Sequence, residues 1–562
     1  MTERGPWRTR AAWLGAAAIV LVVHSLAYNF VTDDAYISFV FARNLAEHGE
    51  LTFNLGQPVE GYTSFLWTFV LGLGMVVGIA PELLSRVLGT ACGVATLYVA
   101  GRIVERALGR RTPWAAVPAL LLACSSGFAC WASGGLETQL FTLLVTAAID
   151  AMVAAAGSPR ALRRLGPILA LASLTRPEGP MVAAVLGAVW AGGRAIAWLG
   201  RRTRPAAACA DERPDDAVSP HGRFAGWRDA GIAVGWFVAL WAPWFAWRWW
   251  YYGWPFPNTY YVKATGAWAA PELPGQMIRN GLYYVAAWLG QSHVLHALPI
   301  AICGLVAVRP RTPRFILGVT CAAVSAVYLA YAVSVGGDFM GLHRFILPVF
   351  VCAALAVTLG VEWLARRIAG AVDARWGRRV APALAAVLIA GFAVTQLALT
   401  RASLRWGNFD SDHGIDTPIY LAAYTADRAA IGRATASCFV PGDFSIVGGA
   451  GAQPYYGRMR AIDVFGLVSE TIAHDEPRIR ARAGHTKFGS DRVLAAYDPT
   501  FVFSCYQIHA GPTQPVLPCA GFWLARGFEE VTLHVPALRL GGTYYTFLAR
   551  KARQFACPGR VH

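Results

Sequence analysis

The sequence predicts an α-helical polytopic membrane protein with a carboxy-terminal α/β domain, and three observations support this fold class. Of the 562 residues, 56% are hydrophobic, and the mean hydropathy of +0.42 is too high for a soluble protein. Apolar runs long enough to cross a bilayer recur up to about residue 400. Beyond that point short alternating segments replace them. We therefore expect a transmembrane domain over 1–399 and an α/β domain over 400–562.

About 11 transmembrane helices are expected if each crossing takes roughly 20 residues. The first follows Arg4, Arg8 and Arg10 and is not followed by a small-residue cleavage site, so we interpret it as a retained helix and not a signal peptide. The predicted spans lie near residues 11–30, 84–103, 113–131, 138–156, 165–176, 179–199, 229–250, 283–308, 315–335, 344–365 and 380–399.

Arginine clusters in short loops predict the orientation. If the apolar stretch 62–80 is a re-entrant or interfacial helix, all of these clusters lie on the cytoplasmic side, as the positive-inside rule requires. If 62–80 crosses fully, giving 12 crossings, they all lie outside. The first orientation leaves the loop 31–62 and the carboxy-terminal domain extracytoplasmic, and it places an Arg/Pro-rich insertion, 200–228, inside. Because the net charge of +16 comes from these loops, it does not indicate a nucleic-acid partner.

The carboxy-terminal domain shows strand-like runs at 445–449, 500–505, 530–535 and 544–548 and a helical stretch at 419–436. The segment Gly448-Gly449-Ala450-Gly451 lacks the GxGxxG spacing of a dinucleotide site, so it predicts a tight strand-to-helix turn. Four cysteines lie here, and an extracytoplasmic location would permit one or two disulfides, with Cys505–Cys519 the nearest pair in sequence.

Asp33 and Asp34 are the leading candidate catalytic residues. They follow the first span directly, and two adjacent carboxylates at a membrane surface are costly in a chain that has only 33 acidic residues. The alternative is that Thr32 and Asp33 only cap a helix over 37–46, a role that is compatible with catalysis. A divalent cation held by Asp33 and Asp34 is a further possibility.

Other polar groups fall in the loops on the same predicted side. Glu60 and Tyr62 end the first loop and either line a polar pocket or anchor a helix at the interface. Glu137 either stabilises a helix N-terminus or joins a site with the aspartates. For Arg176 and Glu178, a self-satisfied turn is favoured over a site for an anionic ligand.

Two loops supply candidate cations. Lys263, the first lysine in the chain, follows Asn258 in an aromatic loop of a kind that binds sugar rings or lies in the membrane interface. Asp338, His343 and Arg344 form a glycine-framed cluster at a predicted helix start, where an anion would bind. Carboxylates and cations together suit the cleavage of a polyprenyl phosphate–sugar bond, with a carboxylate as base and cations on the departing phosphate.

Several motifs resemble the GT-C glycosyltransferases, and in particular the terminal β-(1→2)-arabinofuranosyltransferases of actinobacteria. The first loop carries the most specific part of the resemblance, which covers most of the chain. The motifs are Asp33-Asp34-Ala35-Tyr36-Ile37-Ser38-Phe39, Val59-Glu60-Gly61-Tyr62-Thr63-Ser64, Pro257-Asn258-Thr259-Tyr260-Tyr261-Val262-Lys263, Gly337-Asp338-Phe339-Met340, His343-Arg344-Phe345, Tyr455-Tyr456-Gly457-Arg458, Ile462-Asp463-Val464-Phe465-Gly466-Leu467 and Gly484-His485-Thr486-Lys487.

The resemblance implies a GT-C fold in the bacterial inner membrane, a first-loop aspartate as base and a polyprenyl-phosphate sugar donor. It also implies arabinofuranose as the sugar and a cell-envelope glycan as the acceptor. We expect Arg344, His343 and Lys263 to bind the donor phosphate, and Glu60, Tyr62, Glu137, Arg176, Glu178, Asn258 and Asp338 to contact substrate. The alternatives are a GT-C enzyme that uses another lipid-linked sugar, and a transporter or flippase of lipid-linked saccharides.

Overall fold

The computed structural model describes residues 6–202, 226–306, 312–409, 414–553 and 557–561. Most of the predicted insertion 200–228 lies outside these residues. The chain forms a large helical part followed by a small sheet domain. The predicted boundary at 399–400 falls within a helix that continues to Ser403.

The helical part contains sixteen α-helices within the described ranges. In chain order they are α1 (Pro6–Tyr28), α2 (Asp33–His48), α3 (Phe65–Val76), α4 (Pro81–Leu108), α5 (Ala116–Cys124), α6 (Ser126–Ser133), α7 (Thr138–Ala155), α8 (Leu165–Thr175), α9 (Gly179–Arg202), α10 (Trp227–Tyr252), α11 (Asn258–Ala264), α12 (Leu273–Gln291), α13 (Val294–Val306), α14 (Pro313–Ser334), α15 (Leu347–Ala371) and α16 (Ala374–Ser403).

Eight helices among the described residues are long and apolar enough to cross a membrane, and the number rises to ten if each of two bent helix pairs is one span. The chain is thus a multi-pass membrane protein. The remaining predicted span, 165–176, which is the fifth in chain order, corresponds to α8. With 11 residues α8 extends about 16 Å, roughly half of a bilayer core.

Two predicted spans are not single helices. In place of a span over 113–131, the axes of a segment over Pro113–Cys124 and of α6 meet at 67°, because Ser125 between them is extended at ψ 122°. In place of a span over 283–308, α12 and α13 meet at 81° around His293, whose φ of 54° interrupts the helical conformation. At each place a bent helix pair stands where the sequence predicted one span, because apolar composition does not report a local break.

The ambiguous stretch 62–80 contains α3, a helix of 12 residues. Its length of about 18 Å is too short to cross a hydrocarbon core of about 30 Å. This agrees with the prediction of an interfacial or re-entrant helix.

The carboxy-terminal domain is built on a five-stranded mixed sheet with the order β2-β1-β3-β5-β4. The strands β1, β2 and β3 pair in parallel, and β5 runs antiparallel to β3 and β4. Four of the five strands match predicted runs, and β2 was missed. The elements are α17 (Pro418–Thr435), β1 (Ser445–Val447), α18 (Ala452–Gly457), β2 (Ala461–Asp463), α19 (Glu470–Asp475), α20 (Asp491–Ala495), β3 (Phe501–His509), α21 (Gly521–Leu524), β4 (Phe528–His534) and β5 (Tyr544–Arg550).

Two disulfides cross-link this domain. Cys505–Cys519 is the pair expected from sequence, and Cys438–Cys557 joins residues 119 positions apart. Disulfides persist in oxidising compartments, so both are relevant to the side of the membrane on which the domain lies.

Buried amides fasten the sheet domain to the first loop and to α11. The Asn54 side chain donates to the Ala461 carbonyl and accepts from the Ala461 N–H, both at 3.0 Å. The Asn258 amide donates to the carbonyls of Gly466 (2.6 Å) and Ser469 (3.1 Å). Because both amides are buried, losing either would leave backbone groups unpaired, so the domain is held in a defined orientation.

Candidate functional site

The site is organised around the start of α2. Thr32 lies in extended conformation just before the helix, and its backbone N–H donates to the Gly134 carbonyl (3.1 Å), which fixes the helix start against the end of α6. Asp33 and Asp34 occupy the first turn, where negative charge is favourable. The capping expectation is met in position, although the Thr32 side chain makes no capping hydrogen bond. Successive helical residues point about 100° apart, so the two carboxylates face different surroundings.

Asp33 faces the sheet domain. Its Oδ1 accepts a hydrogen bond from the Ala452 N–H at the start of α18 (2.8 Å), and the residue is 9% exposed. The turn before α18 lies against it so closely that a Cβ at Gly451 would be 2.1 Å from the Asp33 carbonyl oxygen, and a Cβ at Gly449 3.1 Å from its Oδ2. The glycine-rich segment is therefore the predicted strand-to-helix turn, and its glycines allow backbone to approach Asp33.

Asp34 faces cations. Its Oδ2 lies 4.0 Å from Nη2 of Arg344, and its side chain is 36% exposed. Burial raises the pKa of Asp34, while the positive charges of Arg344 and then Lys263 act in the opposite direction. Lys263 is itself exposed and lies next to Gly484 of the sheet domain. Asp34 thus combines an accessible carboxylate with two nearby cations.

Arg344 is oriented by the loop before it. Its Nε donates to Oδ2 of Asp338 (2.6 Å), and its guanidinium lies 5.5 Å from the Trp131 ring centroid. Gly336 and Gly337 have φ values of 80° and 78°, which only glycine adopts readily, and they turn the chain so that Asp338 reaches Arg344. The cluster predicted at 336–344 is therefore assembled as one ionic unit.

His343 differs from its expected setting. It is 4% exposed, its Nε2 is hydrogen-bonded to the Gln291 side chain (3.0 Å), and burial lowers its pKa to about 3. The imidazole is therefore neutral at physiological pH and offers no positive charge to a phosphate. Its position suggests that it holds the Arg344 loop against α12.

Arg176 is neutralised by carboxylates. It donates to Glu137 (3.1 Å) and, through two nitrogens, to both oxygens of Glu178 (3.0 and 3.1 Å). This is the self-satisfied arrangement favoured from the sequence, extended by Glu137. The charge of Glu137 acts on Asp34. The Arg176 guanidinium is already paired with two carboxylates, which leaves the group with one net negative charge.

Three predicted substrate contacts are taken up by structural partners. Glu60 is 5% exposed and accepts from the Arg248 Nε (3.1 Å), and the hydroxyls of Tyr62 and Tyr252 are 3.2 Å apart. The Asn258 amide is occupied by the carbonyls of the sheet domain described above. The structure does not bring these side chains to the aspartates.

A cavity of ≈ 280 Å³ opens beside the aspartates, between α2 and the sheet domain. It lies at the carboxyl ends of β1, β2 and β3, and β1 has β2 on one side and β3 on the other. This is the topological switch point at which open α/β sheets bind ligands. The sheet-domain residues that line it include Tyr420, Tyr424, Asp463, Phe465, Arg480, Arg482, His485, Phe488 and Tyr506.

Sequence reasoning missed the aromatic wall of this cavity. Arg428 is 2% exposed and is sandwiched between the rings of Tyr424 (4.8 Å) and Tyr506 (4.4 Å), and its positive charge acts on Asp33. Tyrosine faces and edges suit sugar rings. No sequence motif marks Tyr420, Tyr424, Phe488 or Tyr506, whereas Phe465 and His485 belong to segments that the resemblance had singled out.

The donor set does not fit a divalent cation shared by Asp33 and Asp34. One Asp33 oxygen is engaged by Ala452, Asp34 faces Arg344 and Lys263, and the two side chains diverge. Within the described ranges no group of three or more His, Cys, Asp or Glu side chains comes together. Arg344 and Lys263 are the cationic side chains beside Asp34.

The surroundings of Asp33 predict a pH-dependent stability. Burial, followed by the charge of Asp34, raises its pKa from 3.8 to about 6, against the Ala452 hydrogen bond and Arg428, which lower it. The folded state therefore binds this proton more tightly than the unfolded state. The stabilisation from protonated Asp33 is fully present below pH 3.8 and is lost as the pH rises to about 6, which lowers the free energy of unfolding by about 3 kcal/mol. The unfolding temperature of wild type should therefore fall as the pH rises from 3.8 to about 6, relative to that of Asp33→Asn, whose amide does not titrate. Parallel curves would contradict the assignment.

Comparison with known proteins identifies the fold. No family model matches the chain, and no curated protein matches it. Among solved structures, the chain is similar to ArnT from Cupriavidus metallidurans bound to undecaprenyl phosphate, with a TM-score of 0.58, 14% identity and coverage of 96% of this chain and 97% of that one. For the apo state of the same protein the TM-score is 0.56 and the identity 13%, with coverage of 96% of this chain and 98% of that one. Over nearly its whole length the chain therefore has an ArnT-like membrane fold.

Proposed function

We propose that the protein is a membrane glycosyltransferase that moves a sugar from a polyprenyl phosphate to a hydroxyl group of a glycan acceptor. The observation that carries the proposal is the placement of Asp34, which lies 4.0 Å from Arg344, near Lys263 and at the edge of the ≈ 280 Å³ cavity. A transferase of this class needs a base and an anion site within reach of one reacting carbon.

Each group has a defined part in the reaction. Asp34 takes the proton of the acceptor hydroxyl as its oxygen forms a bond to the anomeric carbon of the donor sugar. The bond from that carbon to the phosphate oxygen breaks, and its electron pair leaves with the polyprenyl phosphate. Arg344 and Lys263 stabilise the negative charge that grows on this phosphate. Asp338 positions Arg344 through its hydrogen bond.

The ArnT-like fold supports the lipid part of the proposal, because a solved structure of that fold is bound to undecaprenyl phosphate. Arabinofuranose as the sugar and a cell-envelope glycan as the acceptor are the finer proposals, and they rest on the motif resemblance. The two disulfides of the sheet domain support its extracytoplasmic location in the bacterial inner membrane, since that side is oxidising.

The test is sugar transfer by the purified full chain from synthetic polyprenylphosphoryl-arabinofuranose to an arabinofuranosyl disaccharide. We expect a trisaccharide product and release of polyprenyl phosphate in equal amounts. Transfer only from another lipid-linked sugar would overturn the arabinose assignment and leave the reaction class intact. Absence of transfer from every donor, together with movement of a lipid-linked saccharide across liposome membranes, would favour a transporter.

A further inference from the structure

A second, polar cleft of ≈ 410 Å³ lies between α12 and the segment 480–483 of the sheet domain. Gln276, Asn280 and Tyr283 line it from the helix, and Arg480 and Arg482 from the opposite side. The Asn280 amide donates to the Ala481 carbonyl (2.7 Å), which joins the two walls at one point. The cleft is therefore a fixed groove between the membrane part and the sheet domain.

The cleft and the cavity at the aspartates share a wall. Phe339, Arg480 and Arg482 border both spaces. The Phe339 ring is held between the Arg482 guanidinium, 5.6 Å from its centroid, and the His485 ring at 4.6 Å. Phe339 is therefore a fixed part of the border between the two spaces.

The two spaces also reach the two carboxylates that lie beside Arg344. The cleft reaches Asp338, the hydrogen-bond partner of Arg344, and the cavity reaches Asp34, which lies 4.0 Å from Arg344. A long ligand whose end lies beside Asp34 can therefore continue past Phe339 into the cleft.

The chemistry of the cleft suits a hydroxyl-rich chain. Gln276 is exposed, and among the described residues Arg480 forms no ion pair; its guanidinium only stacks on Phe488 (4.8 Å). Amides, guanidinium groups and tyrosines hydrogen-bond hydroxyls without requiring a charge on the ligand.

We propose that this cleft binds the body of an extended glycan acceptor, several sugars back from the hydroxyl that reacts in the cavity. The proposal rests on the proposed function and adds a subsite to it. The acceptor enters past α12 and the 480–483 segment, and its terminal unit passes Phe339 to reach Asp34. Short acceptors occupy the cavity alone.

The test compares two acceptor lengths. In the double variant Gln276→Ala with Tyr283→Phe, whose side chains line the cleft and not the cavity, we expect KM for an arabinofuranosyl hexasaccharide to rise about tenfold, as for the loss of two hydrogen bonds. KM for the disaccharide, KM for the lipid donor and kcat should stay within about twofold of wild type. Gln514→Ala with Tyr544→Phe, in the sheet domain and lining neither space, is the matched control.

An equal change for both acceptors, or a change in the KM of the lipid donor, would overturn the subsite. If wild type transfers no sugar, the proposed function fails and the cleft is tested by binding alone. The hexasaccharide dissociation constant, measured by titration calorimetry on the full chain in detergent, should then rise about tenfold in the double variant. Equal constants, or no binding by wild type, would refute the cleft independently.

Discussion

Asp34→Asn should reduce sugar transfer by about a hundredfold to ten-thousandfold, the range for loss of a general base. The amide has the size of the carboxylate but cannot accept the proton of the acceptor hydroxyl. Because no hydrogen bond among the described residues joins the Asp34 side chain to the sheet domain, the variant should fold and unfold thermally like wild type. Initial rates of product formation at saturating donor and acceptor, with a thermal unfolding curve for each preparation, measure both effects.

Asp33→Asn is the matched control, one residue away. An asparagine oxygen still accepts from the Ala452 N–H, so the contact between α2 and α18 is kept. We expect this variant to retain activity within about tenfold of wild type, whereas Asp33→Ala leaves the Ala452 N–H unpaired and should lose more. Near-complete loss in Asp33→Asn with substantial activity in Asp34→Asn would exchange the roles of the two aspartates.

Gly451→Ala should abolish most of the activity by a different route. The new Cβ would lie 2.1 Å from the Asp33 carbonyl oxygen and 2.4 Å from its Cγ. Backbone cannot move aside as a side-chain end can, so the turn must shift away from α2 at a cost of about 1–3 kcal/mol. The cavity wall moves with it. We expect at least a tenfold loss of kcat/KM and a lower unfolding temperature.

Gly448→Ala changes the same turn at a position that does not contact Asp33. A Cβ at Gly448 meets no atom within 4 Å, so this substitution should leave activity and unfolding temperature close to wild type. If the two alanine variants behave alike, the close approach of Gly451 to Asp33 is not what positions the sheet domain, and the turn acts only through its flexibility.

The parts of the site that sequence could predict are those in which polar residues interrupt an apolar chain. Asp33, Asp34, Asp338 and Arg344 were conspicuous because charge is costly near a bilayer. Asp34, Asp338 and Arg344 meet in the structure as one cluster, whereas Asp33 faces the sheet domain. Sequence could also indicate that adjacent helical carboxylates diverge. It could not indicate which one faces the cations, since that depends on how the sheet domain packs against α2.

The remaining errors have the same origin. Glu60, Tyr62 and Asn258 are polar like the site residues, but each is hydrogen-bonded to a structural partner about two hundred positions away. Those partners are Arg248, Tyr252 and the 466–469 backbone, respectively. Tyr424 and Tyr506 look like ordinary aromatic residues of a soluble domain, and only the sheet order brings them to the cavity. Long-range packing of this kind leaves no local pattern.

The hydrogen bond between Asp33 and Ala452 joins positions that are 419 residues apart, and this separation sets the order in which the protein matures. Ribosomes make Asp34 and Arg344 before any strand of the sheet exists. A growing chain therefore has its ionic cluster before it has an enclosure for substrates, and roughly the last quarter of the chain supplies that enclosure. Premature termination after α16 would leave a membrane-inserted but incomplete product, so functional output depends on finishing the whole reading frame.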